Sequence, residues 1–407
     1  MALATHDPYA ALRIRNFRQI LLSHGTATMA REAQMVVVGW QVYAQTHDPL
    51  SLGLIGLAEA LPFIGVALIA GHAADRASRK RLAIIGAIGV WLSGIALLAF
   101  TLTRQTAVWP IYLVIASSAI ARSFNRPALT AMSADVVPRA LYPNAVAWRS
   151  STWQLSAVVG PALGGLLYGF SGAAVAYAVV AVLMTISLIA LLFITLEHRA
   201  PATVDMPIGQ SLSIGLRFVW NQPVILAAMS LDLFSVLFGG AVALLPIFAV
   251  QLHAGPQGLG VLRAGPAIGS VVVGLWIAHR PPFRRTGVTL LAGVSIFGLS
   301  IIAFALSTNF FLSLALLILS GAADNISVVI RGTLLQTLTP AELLGRVSSV
   351  NQIFIGSSNE IGAFESGLAA RLMGTVPSVL FGGTMTLIVV AITAWLAPSL
   401  RKLKAIT

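Results

Sequence analysis

Ionisable side chains stand where the sequence is otherwise apolar. Arg31 and Glu32 adjoin in the first long apolar run, and Glu59 lies three residues before Pro62 in the second. Asp232, Asp324, Glu360 and Glu365 interrupt later runs. At the centre of a membrane helix each such group costs about 2.5–3.5 kcal/mol on insertion scales, so each needs a reason. A carboxyl screened from water is suited to loading and releasing protons. Glu32, Asp232 and Glu360 are the first choices for that chemistry. Glu365, about 140° around a helix from Glu360, faces different neighbours and is a further choice. Arg31 offers a cation to an anionic ligand, and Glu59 and Arg149 are further candidates for a ligand cavity. The competing structural reading is a buried ion pair serving assembly alone, Glu32 with Arg149 or Arg31 with Asp232.

A second group has the opposite setting. The stretch GHAADRASRKR, Gly71 to Arg81, packs five charges into eleven residues between two long apolar runs. Asp75, Arg76, Arg79 and Lys80 therefore mark a turn between membrane-crossing segments. Asp75 can pair with Arg79, and Gly71 permits close helix approach. Arg122 and Arg126, four apart, share one face at the end of the fourth run and read as gate or headgroup contacts.

Composition fixes what must position these residues. Of 407 residues, 57% are hydrophobic and only 9% charged, against roughly 25% charged in a soluble domain. The net charge of +12 is spread in small groups between apolar runs, which excludes a nucleic-acid-binding surface and fits the positive-inside pattern of membrane proteins. There is no cysteine, hence no disulfide framework or thiolate metal site. No nucleophile elbow, phosphate loop or paired catalytic carboxylates occur, so neither an enzyme nor a resident cofactor is indicated, and transport would have to run on an ion gradient.

The runs predict twelve spans, at 17–44, 50–70, 82–102, 107–125, 144–169, 173–195, 223–250, 258–278, 288–306, 310–330, 346–372 and 376–397. Arg13, Arg15 and Arg18 precede the first, Arg139 follows the fourth and Arg331 the tenth, while the alternate loops hold almost no basic residue. Both termini are thus expected in the cytoplasm. A polar interval at 196–222 divides the chain into bundles at 1–195 and 223–407. At an offset of 202, Pro138 meets Pro340, Gly160 meets Gly362 and Gly165 meets Gly367, which predicts two six-helix repeats with a ligand bound near the midplane.

With these spans in place the chain resembles the major facilitator superfamily over nearly its whole length. Gly71, Asp75, Arg76, Arg79 and Lys80 match the family's G-x-x-x-D-R-x-x-R-[RK] loop after the second helix. The resemblance implies a cytoplasmic latch, with Asp75 capping the eleventh helix. In the fifth span Gly160, Pro161, Gly164 and Gly165 match the G-P-x-x-G-G of antiporter-type exporters, with Ser156 in place of the preceding glycine. The resemblance also places the first, seventh and eleventh helices near the central cavity or its gates. Residues 126–165 and 334–352, above all Thr339, Pro340, Leu344, Gly345 and Arg346, are similar to the branch holding enterobactin exporters and macrolide efflux proteins. Taken together, these likenesses imply an all-α major facilitator fold in a bacterial inner membrane, monomeric, with a small-molecule substrate, protons and membrane lipids as partners. The implied function is proton-coupled export of an amphipathic molecule such as a siderophore. Broad drug or macrolide efflux is the alternative within transport, and a non-transporting membrane sensor the alternative outside it.

Overall fold

A membrane interior offers the backbone no water, so every amide must bond within its own segment, and helices satisfy that condition. The computed structural model describes residues 7–76, 78–104, 106–195, 208–281 and 283–404, without the side chains of 67–76, 134, 208 and 211, and among these it contains no strand. The helices are α1 (Arg15–Thr46), α2 (Pro49–Arg76), α3 (Arg79–Leu102), α4 (Trp109–Val136), α5 (Tyr142–Leu192), α6 (Ile208–Trp220), α7 (Pro223–Phe238), α8 (Leu245–Gln251), α9 (Gly255–Ala278), α10 (Thr286–Leu306), α11 (Phe310–Leu338), α12 (Leu344–Met373), α13 (Thr375–Leu396) and α14 (Pro398–Arg401).

Eight described helical stretches are long and apolar enough to cross a bilayer on length and composition alone, and one of them, 139–192, holds two spans. That stretch reverses at Gly172, whose φ of 81° and ψ of 172° suit glycine alone. The remaining three spans are α1, α4 and α12, with 32, 28 and 30 residues. They have the length, but Arg31, Glu32, Arg122, Arg126, Glu360 and Glu365 fall on them. These three are also the least apolar of the long helices.

The twofold repeat is visible in the turns. Gly374, 202 residues after Gly172, ends α12 with φ 93° and ψ 157°, in the same region of backbone space. His47 after α1 and His253 after α8 both take left-handed φ, 52° and 53°. Each is followed within three residues by the proline that opens the next span, Pro49 or Pro256.

Several boundaries differ from the sequence expectation. The fourth span continues through Pro127 to Val136, and the tenth runs to Leu338, so Arg122, Arg126 and Arg331 lie inside helices and not at their ends. Charge alone suggests an earlier end for both spans, although a helix continues across charged residues when their partners are internal. The seventh span is broken: α7 stops at Gly239, a 3-10 turn covers Ala241–Leu244, and α8 resumes at Leu245. Within the polar interval, Ile208–Trp220 forms α6.

The chain forms two compact units, Met1–Val38 with Gly65–Val204, and Gly39–Ile64 with Asp205–Thr407. In the first, α3 packs on α4 and α5. In the second, α9 packs on α11, α10 on α11 and α13, and α12 on α7 and α13. The segment 39–64, the end of α1 and the start of α2, belongs to the second unit, where Gly53 and Gly56 sit against Phe364, Gly367, Ala363 and the Glu360 carbonyl of α12.

Candidate functional site

In the first unit the site begins with the seam between α1 and α5. Ser156 Oγ donates to the Gly25 carbonyl at 2.9 Å, in full burial. One turn on, a Cβ at Gly160 would come within 2.7 Å of Glu32 Cβ and 2.8 Å of the Met29 carbonyl; one turn further, a Cβ at Gly164 would meet the Ala33 carbonyl at 2.5 Å. The two helices thus run side by side in steps of four residues, which only small side chains on α5 allow. Gly160, Pro161, Gly164 and Gly165 are all buried. The glycine motif is the bed on which the backbone of Glu32 rests.

Among the described residues the ion-pair partner of Glu32 is Arg31 and not Arg149. Arg31 Nη1 donates to Glu32 Oε1 at 3.0 Å, with the two side chains 36% and 21% exposed. Neighbours on a helix diverge by about 100°, so this pairing depends on the bend of a long arginine across the helix surface. Around the pair the field is positive. Arg126 lies within electrostatic range of Arg31 and Arg122, and His24 within range of Arg149 and Arg126. Helices α1, α4 and α5 therefore bring His24, Arg31, Arg122, Arg126 and Arg149 together with the carboxylate of Glu32. Such a surface can hold an acidic group by charge-assisted hydrogen bonds.

Of the charged loop, Arg79 Nη1 donates to Asp135 Oδ2 on α4 at 2.6 Å, and Lys80 Nζ donates to the Leu192 carbonyl at 3.2 Å. The side chains of Gly71, Asp75 and Arg76 lie outside the described residues.

In the second unit Asp232 Oδ2 on α7 accepts from Arg331 Nη1 on α11 at 2.6 Å, and the side chains are 8% and 6% exposed. Arg331 Nε donates to Ser327 Oγ at 3.3 Å, which aligns the guanidinium back along α11. The chain neighbours of the pair, Leu231 and Ile330, belong to a buried apolar cluster with Leu290, Val294 and Leu334. Asp324, two turns before Arg331 on the same face, is coupled electrostatically to both partners. Glu59 is 3% exposed. On α12 Glu365 accepts a hydrogen bond from Ser366, while Glu360 lies where α12 meets Gly56. At the end of α12, Arg371 Nη1 meets Asp48 Oδ2 at 3.4 Å, and Asp48 Oδ1 also caps the first turn of α2 through the Leu50 amide at 3.0 Å.

Thus the structure groups Arg31, Glu32 and Arg149 in one unit and Asp232 with Asp324 in the other, while Glu59 is buried on α2 and Glu360 and Glu365 lie on α12. Sequence reasoning missed three residues. Arg331 was legible in its spacing, seven residues after Asp324 on one helical face. Asp135 gave no local signal, because its partner is 56 residues away. Arg263 stands alone in an apolar run, and its buried Nε has no hydrogen-bond partner among the described residues.

Twelve spans in two repeats, with charge held inside the bundle, define a membrane transporter and not an enzyme. Residues 20–363 match the family model described as Major Facilitator Superfamily, and the chain belongs to that family. It is a multi-pass inner-membrane protein. It is 27% identical over 391 residues to "Enterobactin exporter EntS" of Citrobacter koseri, covering 95% of this chain and 93% of that one. The protein of that name from Shigella flexneri is 26% identical over the same lengths. Among solved structures it resembles a POT family transporter bound to 5-aminolevulinic acid (TM-score 0.75, 12% identity, 95% of this chain and 97% of that). It also resembles a bacterial homolog of the human lysosomal transporter Spinster in an inward-facing, unoccupied conformation (TM-score 0.72, 16% identity, 95% and 97%). At these identities the structural likeness speaks for the fold.

Proposed function

We propose that this protein is a proton-coupled exporter of a small, acidic, amphipathic molecule of the siderophore class, working by alternating access between its six-helix halves, 1–195 and 223–407. The observation that carries the reading is the cluster on α1, α4 and α5, where Arg31 pairs with Glu32, Arg126 lies within electrostatic range of Arg31 and Arg122, and His24 lies within range of Arg126 and Arg149. An acidic ligand can join such a cluster through charge-assisted hydrogen bonds to its guanidinium groups. Arg31 and Arg149 would engage the acidic substrate, and substrate and proton would occupy the cluster in alternation, as antiport requires, with Glu32 taking the proton in the substrate-free state. The likeness to enterobactin exporters favours a catecholate ligand.

The buried glycine motif of α5 is consistent with export. Gly71, Asp75, Arg76, Arg79 and Lys80 would latch the cytoplasmic side, with both termini on that side and the monomer as the working unit among membrane lipids. Glu360 and Glu365 are further proton candidates beside the seams of α12.

The test is deletion of the gene followed by mass spectrometry of small molecules inside and outside iron-starved cells. An iron-binding catecholate trapped inside, released again by the wild-type gene and not by an Arg31→Gln variant, supports the reading. An unchanged profile with new sensitivity to toxic amphiphiles would replace it with broad efflux. Purified protein that moves no solute after reconstitution would replace it with a sensor.

A further inference from the structure

Two carboxyls and one guanidinium occupy the interior of the second unit. Asp232 and Arg331 pair at 2.6 Å, nearly closed from solvent. The hydrogen bond from Arg331 Nε to Ser327 Oγ directs the arginine toward the start of α11, where Asp324 lies on the same face. Residues seven apart complete almost two turns, so Asp324, Ser327 and Arg331 form one stripe. Asp324 makes no direct hydrogen bond or ion pair among the described residues, yet it senses both Arg331 and Asp232. It keeps part of its surface accessible, whereas Asp232 is buried.

The surroundings do not balance this group. Along their spans α10 and α13 carry no charged side chain. Helix α9 carries only Arg263, and α12 carries Arg346, Glu360, Glu365 and Arg371. Arg217 on α6 and Arg401 on α14 complete the charges on helices packed against α7. None of these is among the groups that act on Asp232 or Asp324. With both carboxyls ionised the trio has one net negative charge in low-dielectric surroundings, where an uncompensated charge is expensive. Addition of one proton makes it neutral.

We propose that Asp232, Arg331 and Asp324 form a proton-binding site, in which Asp232 stays paired with Arg331 and Asp324 exchanges the coupling proton. The step is a simple protonation, Asp324 carboxylate plus one proton giving the carboxylic acid, and its reversal returns the proton to water on the other side. The neutral form is the one that passes through the closed intermediate. The proposal rests on the proton-driven reading of function and adds to it a proton site in the second unit, distinct from Glu32.

The experiment uses the purified full-length protein. Infrared difference spectra between acid and neutral pH read the C=O stretch of protonated carboxyls without any substrate. The wild type should show a titrating carboxyl band that Asp324→Asn removes and Asp324→Glu restores at a shifted frequency. Asp232→Asn, in which one carboxyl remains for one arginine, should also abolish the titration. A full band in Asp324→Asn protein that melts like the wild type overturns the site. In parallel, proteoliposomes are given 2,3-dihydroxybenzoate as probe and an imposed pH gradient. Gradient-driven accumulation by the wild type, lost in Asp324→Asn and recovered in Asp324→Glu, ties the site to coupling. Wild-type protein that moves the probe without responding to the gradient would overturn proton coupling, while the infrared spectra would still report whether the trio binds a proton.

Discussion

At the scale of single residues, burial decides which charges matter. Arg331 and Asp232 are each exposed by less than a tenth, so removal of one leaves the other charged and alone. Arg331→Ala should cost about 3–5 kcal/mol, seen as a large drop in melting temperature in detergent. The double substitution Asp232→Leu with Arg331→Leu should recover most of that stability, because it removes both buried charges and the remaining Asp324 can become neutral by taking a proton. Arg79 and Asp135 are a third and a quarter exposed, and breaking that pair should cost about 0–1 kcal/mol. Gly164 shows the opposite sensitivity. A Cβ there meets the Ala33 carbonyl at 2.5 Å, so Gly164→Val should separate α5 from α1, with about 1–3 kcal/mol of destabilisation and loss of transport.

At the scale of elements, the turns carry the repeat. Gly172 and Gly374 hold corresponding positions with backbone angles that a side chain tolerates poorly. Alanine at either should destabilise by about 1–3 kcal/mol by thermal melting, although Gly172 has nothing within 4 Å and offers ample space. Gly332, inside α11 and also free of neighbours within 4 Å, is the control. There alanine should stabilise by about 0.5–1 kcal/mol, since the backbone is already helical. The broken seventh span follows similar logic. Gly239 and Gly240 sit between α7 and α8, and Gly240 lies against Ser366 and the Gly362 carbonyl of α12, where a side chain would force the helices apart. From the sequence the apolar run reads as one helix of 28 residues, 223–250; the break is invisible to hydropathy because its residues are as apolar as their neighbours.

At the scale of the molecule, the second unit includes the segment 39–64, and its tie to α12 is both steric and ionic. Gly53 and Gly367 approach backbone to backbone, and Asp48 pairs with Arg371 at 3.4 Å. In the alternating access proposed for this protein, the tie is expected to open once per cycle. The chain lacks cysteine, so Asp48→Cys with Arg371→Cys can be bridged by a short thiol-reactive linker without interference. The bridged protein should lose turnover, and a reducible linker should give it back on reduction. Unimpaired transport by fully bridged protein would show that the tie stays closed throughout the cycle.

The sequence by itself determined the class of the molecule. A chain with 9% charge cannot cover a soluble surface, and its apolar lengths and repeated prolines and glycines require a two-part helical bundle in a membrane. It also marked Arg31, Glu32 and Asp232 as costly, since an ionisable group inside a span needs a partner or a proton to offset its burial. Partners were a matter for the tertiary structure. Glu32 goes to Arg31 and not to Arg149; Asp232 goes to Arg331, 99 residues away; and Asp135, which no local pattern marked, takes Arg79. Periodicity says which face of a helix a residue occupies, but which helix lies against that face is settled by packing of all of them at once.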